Sequence, residues 1–262
     1  MLYLLLPGDS GLENTVCLRP LLAIIPARGG STGFPGKNTH PFAGLPLIAH
    51  SIRMAQMTPE VDECIVTTDS EEIAEVARRA GGKVPFMRPA DLARDETPIW
   101  PVLQHALREM EQRSGVTYGS VLLLQPTNPA REISDVAKAL EILAANRNAM
   151  GVIAVSEPPF NPRSVCVEER AGYMHKAFPD GQTYARRQDA PKVFRINGVL
   201  YLWRRDFVFS VNSNWDAAPH KMLSVPPECA VDIDTPHDLL WGEFLIAQGK
   251  LRLPWLQRDE PR

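Results

Sequence analysis

Residues 21–38 read LLAIIPARGGSTGFPGKN, an apolar run that leads directly into a glycine-rich loop. The run at 21–26 has the length of one strand and no polar face, which is typical of a strand buried on both sides in a parallel sheet. The loop that follows holds Gly29, Gly30, Gly33 and Gly36. Glycine allows positive φ and close approach, so a loop of this kind presents backbone N–H groups to phosphates. The segment predicts an α/β fold with a phosphate-binding loop.

Helix-like and strand-like patterns alternate along the rest of the chain. Helices are predicted at 47–57, 69–82, 98–113, 132–146 and 236–248. Strands are predicted at 64–67, 83–86, 120–125, 151–156, 193–194, 198–203 and 230–233. Asp69 with Glu72 resembles a capping box at one helix start, and Thr235 is the expected N-cap of the last helix. This alternation favours an α/β architecture with a mainly parallel sheet.

The predicted organisation is a single domain with appended ends. Residues 1–20 precede the first strand as an N-terminal appendage, residues 21–250 form the domain, and residues 251–262 form a C-terminal tail. Within the domain, a proline-rich and polar insertion runs from about 157 to 192, which is long for a plain connection. We expect this insertion to serve function or an interface. Trp241, Phe244 and Leu245 lie at helical spacing on the last helix and are expected in the core.

Composition excludes several classes of protein. The formal net charge is −3, whereas a nucleic-acid-binding protein usually carries a strong positive excess. The four cysteines lie tens of residues apart and form no C-x-x-C pair, so neither a disulfide framework nor a zinc ribbon is indicated. The apolar N-terminal run ends after six residues, too short for a signal peptide or a membrane span. We therefore expect a soluble cytoplasmic protein with no membrane or nucleic-acid partner.

Two common nucleotide-binding motifs do not fit the glycine loop. The dinucleotide fingerprint G-x-G-x-x-G fails because Ser31 stands where its second glycine must fall. The P-loop motif is echoed by Gly36 and Lys37, but Asn38 occupies the position of its Mg²⁺-binding hydroxyl. The loop must therefore belong to another class of phosphate site.

The loop resembles the signature I-P-A-R-x-G-S-K-G-x-P-x-K-N of the sugar-acid cytidylyltransferases, the CMP-N-acetylneuraminate synthetase family. Every fixed position of that signature matches except one, where Thr32 replaces lysine. Further segments fall in the family's order, namely TTD at 67–69, RPADLARD at 88–95, LLQPTNP at 123–129, RQDAPKVFRING at 187–198 and DIDT at 232–235. The resemblance implies a Rossmann-like nucleotidyltransferase fold with a small protruding dimerisation segment, and hence a homodimer.

The loop and its neighbours supply the expected nucleotide site. Arg28 and Lys37 can counter the charge of a triphosphate while loop amides hold its oxygens. The expected catalytic residues are Arg28, Lys37 and Asp234. The expected nucleotide-binding residues are Ala27, Arg28, Gly29, Gly30, Ser31, Asn38, Thr68 and Asp69. Because Thr32 removes one cation, either Arg88 or Arg94 compensates for it or turnover is impaired.

Two carboxylates form the predicted metal site. Asp232 and Asp234 are two residues apart on a predicted strand, so both side chains leave the same face and can converge on one cation. Mg²⁺ prefers oxygen ligands and is held in such sites by one or two carboxylates together with substrate phosphates. The alternative is that Asp234 only helps to cap the helix that follows.

The acceptor site is expected to bind a carboxylate. Guanidinium groups suit bidentate capture of a carboxylate, and the resemblance assigns this role to Arg187 and Arg195 and a sugar contact to Gln125, with Asn197 in the same cleft. The alternative is two exposed arginines near Asp189. The predicted reaction transfers CMP from CTP to a nonulosonic, sialic-acid-like sugar acid and releases pyrophosphate. Three alternatives stay open: a 3-deoxy-manno-octulosonate enzyme, a sugar-phosphate nucleotidyltransferase and a catalytically weak nucleotide-binding scaffold.

Overall fold

A computed structural model describes residues 17–30, 33–178, 184, 186, 189–211 and 214–256. Its strands are β1 (Leu21–Pro26), β2 (Pro41–Phe42), β3 (Leu45–Pro46), β4 (Glu63–Thr67), β5 (Ser120–Leu123), β6 (Gly151–Ser156), β7 (Val167–Arg170), β8 (Tyr173–Lys176), β9 (Arg195–Arg204) and β10 (His220–Ser224). Its α-helices are α1 (Leu47–Met57), α2 (Glu71–Arg79), α3 (Ile99–Ser114), α4 (Ser134–Ala145), α5 (Pro162–Val165), α6 (Arg205–Ser210) and α7 (Pro236–Ala247).

Six strands form the central sheet, in the order β10-β6-β9-β5-β1-β4. β1 is parallel to β4 and β5, and β10 is parallel to β6, whereas β9 is antiparallel to both of its neighbours. The predicted α/β fold with a mainly parallel sheet is therefore confirmed. The parallel strands end at one edge of the sheet and β9 begins there, so the loops after β1, β4 and β5 meet at that edge.

The side chains of β1 alternate between two cores. Leu21, Ala23 and Ile25 belong to the core formed with α1, α2, α4 and α7, whereas Leu22 and Ile24 belong to the core formed with α3 and α6. All five are fully buried, as the unbroken apolar pattern predicts for a strand covered on both faces. The result is a three-layer arrangement that holds the loops at the carboxyl edge of the sheet on a rigid base.

The last predicted strand is wrong: residues 230–235 adopt an irregular conformation. Their polar groups bond to a neighbouring loop instead of a sheet. The Ile233 N–H donates to the Thr127 carbonyl at 2.8 Å, and the Val231 carbonyl accepts from Asn128 Nδ2 at 3.2 Å. These bonds replace the ladder that a strand would need.

Other element boundaries also differ from the prediction. Ser70 rather than Asp69 caps α2, because the Asp69 carboxylate accepts from the Gly29 N–H at 3.1 Å while Ser70 Oγ accepts from the Ile73 N–H at 3.4 Å. Residues 83–86 contribute only an isolated bridge to the sheet, through Lys83. The two strands expected at 193–194 and 198–203 are one continuous strand, β9.

The described parts of both ends pack on the domain. Arg19 forms an ion pair with Asp62 at 2.6 Å, and Ser120 Oγ donates to the Leu18 carbonyl at 2.5 Å. At the other end Trp255 is buried, and its indole Nε1 donates to His50 Nδ1 at 2.9 Å. Residues 17–20 and 251–256 therefore belong physically to the folded unit.

The insertion and the last helix carry exposed apolar side chains. The insertion contains α5 and the antiparallel hairpin β7–β8, in which Tyr173 and Met174 are about three-quarters exposed. On α7, Leu245 is buried as expected, but Trp241 and Phe244 are each 52% exposed and stack on one another, so their placement in the core was wrong. Among the residues described, no helix has both the length and the apolar character needed to cross a membrane.

Candidate active site

A cleft of about 530 Å³ opens at the carboxyl edge of the sheet. One set of predicted site residues lines it together, namely Arg28, Lys37, Asn38, Gln125, Asp232 and Asp234. They come from the loop after β1, the loop after β5 and the segment before α7. The fold therefore brings cations and carboxylates that lie up to about 200 residues apart in sequence into one cavity.

The first wall is the glycine loop. Arg28 points into the cleft, and its guanidinium pairs with Asp95 at 2.6 Å and donates to the Arg94 carbonyl at 3.2 Å. Its backbone carbonyl accepts from Asn38 Nδ2 at 3.1 Å, and Asn38 is buried. The Asn38 amide thus bridges the two ends of the loop and fixes where Arg28 starts. The predicted nucleotide-binding residue Ser31 and the departing residue Thr32 lie outside the described residues.

An ion pair joins the glycine loop to the opposite wall of the cleft. Lys37 Nζ lies 2.6 Å from Asp234 Oδ1, and Lys37 is the more buried of the two side chains. Asp234 does not cap α7 with its own side chain. That role belongs to Thr235, confirmed as the N-cap, in a capping box with Asp238. The Asp234 carboxylate is thus left facing the cleft, with Lys37 as its partner.

Asp232 and Asp234 share this wall although they do not lie on a strand. Burial raises the pKa of Asp232, and the negative charge of Asp234 raises it further, while a hydrogen bond from Thr127 and the charge of Lys37 lower it. Two carboxylates that repel one another in a cleft fit a divalent cation, because a bound cation relieves the repulsion and prefers oxygen ligands. Among the described residues, no group of three or more His, Cys, Asp and Glu side chains forms a metal cluster.

A buried asparagine holds the carboxylate segment in place. Asn128 is fully buried, and its Nδ2 donates to the Asn197 carbonyl at 3.0 Å and to the Val231 carbonyl at 3.2 Å. Gly198 lies against it with φ +76°, and a Cβ there would fall 2.3 Å from Asn128 Oδ1. Only glycine combines this backbone angle with this close approach. We call these two Asn128 hydrogen bonds the Asn128 bracket. They join the loop after β5 to the start of β9 and to the segment that carries Asp232.

Gln125 is positioned by an arginine that the sequence did not reveal. The Arg131 guanidinium is buried and donates to the Gln125 carbonyl at 2.6 Å, to Ser51 Oγ at 2.9 Å and to the Val199 carbonyl at 2.5 Å. Burial lowers the pKa of Arg131. The QPTNPAR segment places this arginine near the motif, but nothing in the sequence distinguishes a buried arginine from an exposed one. Its bonds fix the segment just after β5, where Gln125 lines the cleft.

Thr68 and Asp69 lie behind the glycine loop rather than along the cleft. Thr68 is buried, and its carbonyl accepts from the Arg88 N–H at 2.7 Å. The Asp69 carboxylate holds the Gly29 N–H and lies 3.4 Å from the Arg88 guanidinium. Arg88 is itself a lining residue of the cleft. Its side chain is 4% exposed, and its Nε has no hydrogen-bond partner among the described residues. Burial lowers the pKa of Arg88.

The predicted acceptor residues are only partly placed around this cleft. Arg195 donates to the Ala230 carbonyl at 2.8 Å, next to the carboxylate segment but outside the cleft lining. Asn197 is buried, its Oδ1 accepts from the Val199 N–H, and its Nδ2 has no hydrogen-bond partner in the part of the chain that the structure describes. Arg187 lies outside the described residues. Gln125 is therefore the predicted acceptor residue that the cleft contains.

Comparison with known proteins shows which family this chain belongs to. A family model described as cytidylyltransferase matches residues 22–212. The chain belongs to the cytidylyltransferase family. This cytidylyltransferase is 34% identical over 229 residues to CMP-N,N'-diacetyllegionaminic acid synthase of Legionella pneumophila, covering 86% of this chain and 96% of the relative. It is 33% identical over 232 residues to pseudaminic acid cytidylyltransferase of Campylobacter jejuni, covering 86% and 95%.

A solved structure also matches this cytidylyltransferase. It is a CMP:2-keto-3-deoxy-manno-octonic acid synthetase complexed with CTP, with a TM-score of 0.66 and 21% identity, and the match covers 87% of this chain and 99% of that one. At this level of identity the likeness shows the fold alone. It confirms the Rossmann-like nucleotidyltransferase fold that the loop motif implied.

Proposed function

We propose that this cytidylyltransferase joins CMP from CTP to the anomeric 2-hydroxyl of a nonulosonic acid and releases pyrophosphate. The observation that carries the proposal is the cleft in which Arg28 and Lys37 face Asp232 and Asp234 at the carboxyl edge of the sheet. Relatives of 33–34% identity that align with 86% of this chain are named CMP-N,N'-diacetyllegionaminic acid synthase and pseudaminic acid cytidylyltransferase. Cations opposite paired carboxylates suit a nucleoside triphosphate that binds together with a divalent cation.

The reaction is an in-line displacement at phosphorus. The acid's 2-oxygen forms a bond to the α-phosphorus of CTP as the bond to the oxygen bridging to the β-phosphate breaks, and the hydroxyl proton is released. Arg28 and Lys37 hold the phosphates, the glycine-loop amides and Asn38 seat the nucleotide, and positioning with charge neutralisation supplies most of the rate. Asp232 and Asp234 would hold Mg²⁺, which would neutralise charge on the phosphate oxygens.

We expect cations that line the cleft to compensate for the replacement of the family's lysine by Thr32. Arg88 and Arg94 both line it, in addition to Arg28 and Lys37. Phosphate sites share charge among several donors, so one cation is dispensable when others are within reach. We therefore expect an active enzyme rather than a scaffold.

The acceptor side and the assembly complete the proposal. Gln125 contacts the sugar, and Arg187, Arg195 and Asn197 bind the acid, partly across a two-fold homodimer interface formed by the insertion. The exposed apolar side chains of the hairpin β7–β8 support such an interface. We also propose a cytoplasmic location, which four unpaired cysteines support.

The test is a coupled pyrophosphate assay with CTP and a panel of acids: N-acetylneuraminate, legionaminate, pseudaminate and 3-deoxy-manno-octulosonate. Release with one of the first three supports the proposal. Release with 3-deoxy-manno-octulosonate alone would instead identify that acid as the substrate. Binding of CTP by calorimetry without pyrophosphate release from any acid would instead indicate a scaffold.

A further inference from the structure

A carboxylate lies in the cleft that the proposed reaction does not use. Asp95 lines the cavity and pairs with Arg28, Oδ1 to Nη2, at 2.6 Å. Taken alone, a negative charge in a cleft for a triphosphate weakens binding, since like charges repel. Any contribution of Asp95 to CTP binding must therefore come from its effect on Arg28.

The geometry shows what Asp95 does to Arg28. The Arg28 guanidinium makes two bonds, one to the Asp95 carboxylate and one from Nη1 to the Arg94 carbonyl at 3.2 Å. Both acceptors belong to adjacent residues, so one turn of chain holds both terminal nitrogens of the guanidinium. A guanidinium carries five N–H donors, so among the described residues these two bonds leave donors available for phosphate oxygens.

The turn that carries Asp95 is itself ordered. The Thr97 N–H donates to the Arg94 carbonyl at 3.2 Å, and Thr97 Oγ1 donates to the Asp91 carbonyl at 3.2 Å. Leu92, Arg94 and Thr97 line the cleft beside Asp95. The turn therefore forms a further wall of the cavity, and Arg28 links this turn to the glycine loop.

The base of Arg28 is fixed as well as its tip. Asn38 Nδ2 holds the Arg28 carbonyl at 3.1 Å, while Asp95 and Arg94 hold the guanidinium. The Arg28 side chain is still 32% exposed, so without Asp95 it has room for other rotamers. Ordering a long side chain before the ligand arrives removes part of the entropic cost of binding.

We propose that Asp95 is a positioning residue: its carboxylate holds the Arg28 guanidinium across the mouth of the cleft, so that Arg28 meets the CTP phosphates already oriented. The inference rests on the proposed function, which gives Arg28 its phosphate partner. Asp95 itself touches neither the phosphates nor the acid.

The variants that test this are Asp95→Ala and Asp95→Asn, with Glu96→Gln as the matched control. Glu96 is exposed, adjacent in sequence and absent from the cleft lining, so Glu96→Gln removes the same charge without touching Arg28. We expect Asp95→Ala to lower kcat/KM for CTP and CTP affinity by calorimetry about 2- to 10-fold, the range for one rotamer-rich side chain that is no longer held. Asp95→Asn keeps an acceptor oxygen and should lose less, and KM for the acid should stay unchanged.

The decisive comparison repeats Asp95→Ala in an Arg28→Ala background. There the loss should vanish or reverse, because no guanidinium remains to be oriented and a repulsive charge has gone. An equal loss in both backgrounds, with a lowered melting temperature, would overturn the proposal in favour of a purely structural role. Tighter CTP binding by Asp95→Ala would also overturn it, since Asp95 would then compete with the phosphates. Wild-type protein that binds no CTP would overturn the proposed function together with this inference, whereas CTP binding unaffected by Asp95→Ala would overturn this inference alone.

Discussion

Replacing Gly198 by alanine tests whether the Asn128 bracket holds the carboxylate segment. The added Cβ would lie 2.3 Å from Asn128 Oδ1 and 2.9 Å from Nδ2, so the Asn128 side chain must move. Its bonds to the Asn197 and Val231 carbonyls would then break in a fully buried place, at about 1 kcal/mol each or more. The positive φ of +76° adds about 1–2 kcal/mol for a residue with a Cβ. We expect the free energy of unfolding to fall by about 3–4 kcal/mol.

The matched control is Gly115→Ala at the end of α3. Gly115 has φ +67°, close to that of Gly198, but a Cβ there meets no described residue within 4 Å. It should lose only the conformational part, about 1–2 kcal/mol. Urea unfolding followed by circular dichroism measures both variants, and CTP-dependent pyrophosphate release should fall only for Gly198→Ala, because Val231 adjoins Asp232. Equal destabilisation of the two variants would refute the bracket.

Three further predictions concern the metal ligand, pH and the C-terminal segment. Asp234→Asn should abolish most turnover at millimolar Mg²⁺ with an unchanged melting temperature, because an amide is a poor ligand for a hard cation. Near wild-type pyrophosphate release by this variant would show that Asp234 is not a metal ligand. Burial lowers the pKa of His50 to about 4, so the unfolded chain takes up this proton at higher pH than the folded one. The stability that neutral His50 contributes is therefore complete above about pH 6.5 and falls as the pH drops toward 4, by about 3 kcal/mol in total. The urea midpoint of His50→Asn should lack this decline between pH 6.5 and 4. A decline as steep in His50→Asn as in the wild type would contradict the prediction. Truncation after Lys250 removes the buried Trp255 and the donor to His50 Nδ1, and should lower the free energy of unfolding by about 3–5 kcal/mol; a truncated chain as stable as one ending at residue 256 would show that the segment does not support the core.

The sequence predicts the parts of this molecule that depend on local pattern. The apolar run of β1 required burial on both faces, and its side chains are shared between two cores. The boundaries of α1 are those that the helical spacing predicted. Arg28, Lys37, Gln125, Asp232 and Asp234 were expected in one site, and they line one cleft.

The sequence does not predict features that depend on competition between distant groups. Asp69 has the composition of an N-cap, but the Gly29 N–H from another loop takes its carboxylate. Asp232 was expected on a strand at 230–233, yet bonds to a neighbouring loop replace the ladder there. Arg131 carries no local sign that its guanidinium is buried among three acceptors. Trp241 fits a helix core by spacing, and only the packing of α7 shows that it faces outward.

The most direct test of the proposed function measures the stoichiometry of CMP transfer from CTP to the sugar acid. Protein, CTP, Mg²⁺ and the acid that gives the highest rate are incubated together, and CMP-sugar and pyrophosphate are quantified by mass spectrometry and by enzyme coupling. Attack by the acid's 2-hydroxyl on the α-phosphorus predicts one CMP-sugar for each pyrophosphate released, with loss of both products in Lys37→Ala. Pyrophosphate released with free CMP and unchanged acid, or no release with any nonulosonic acid, would contradict the proposed function.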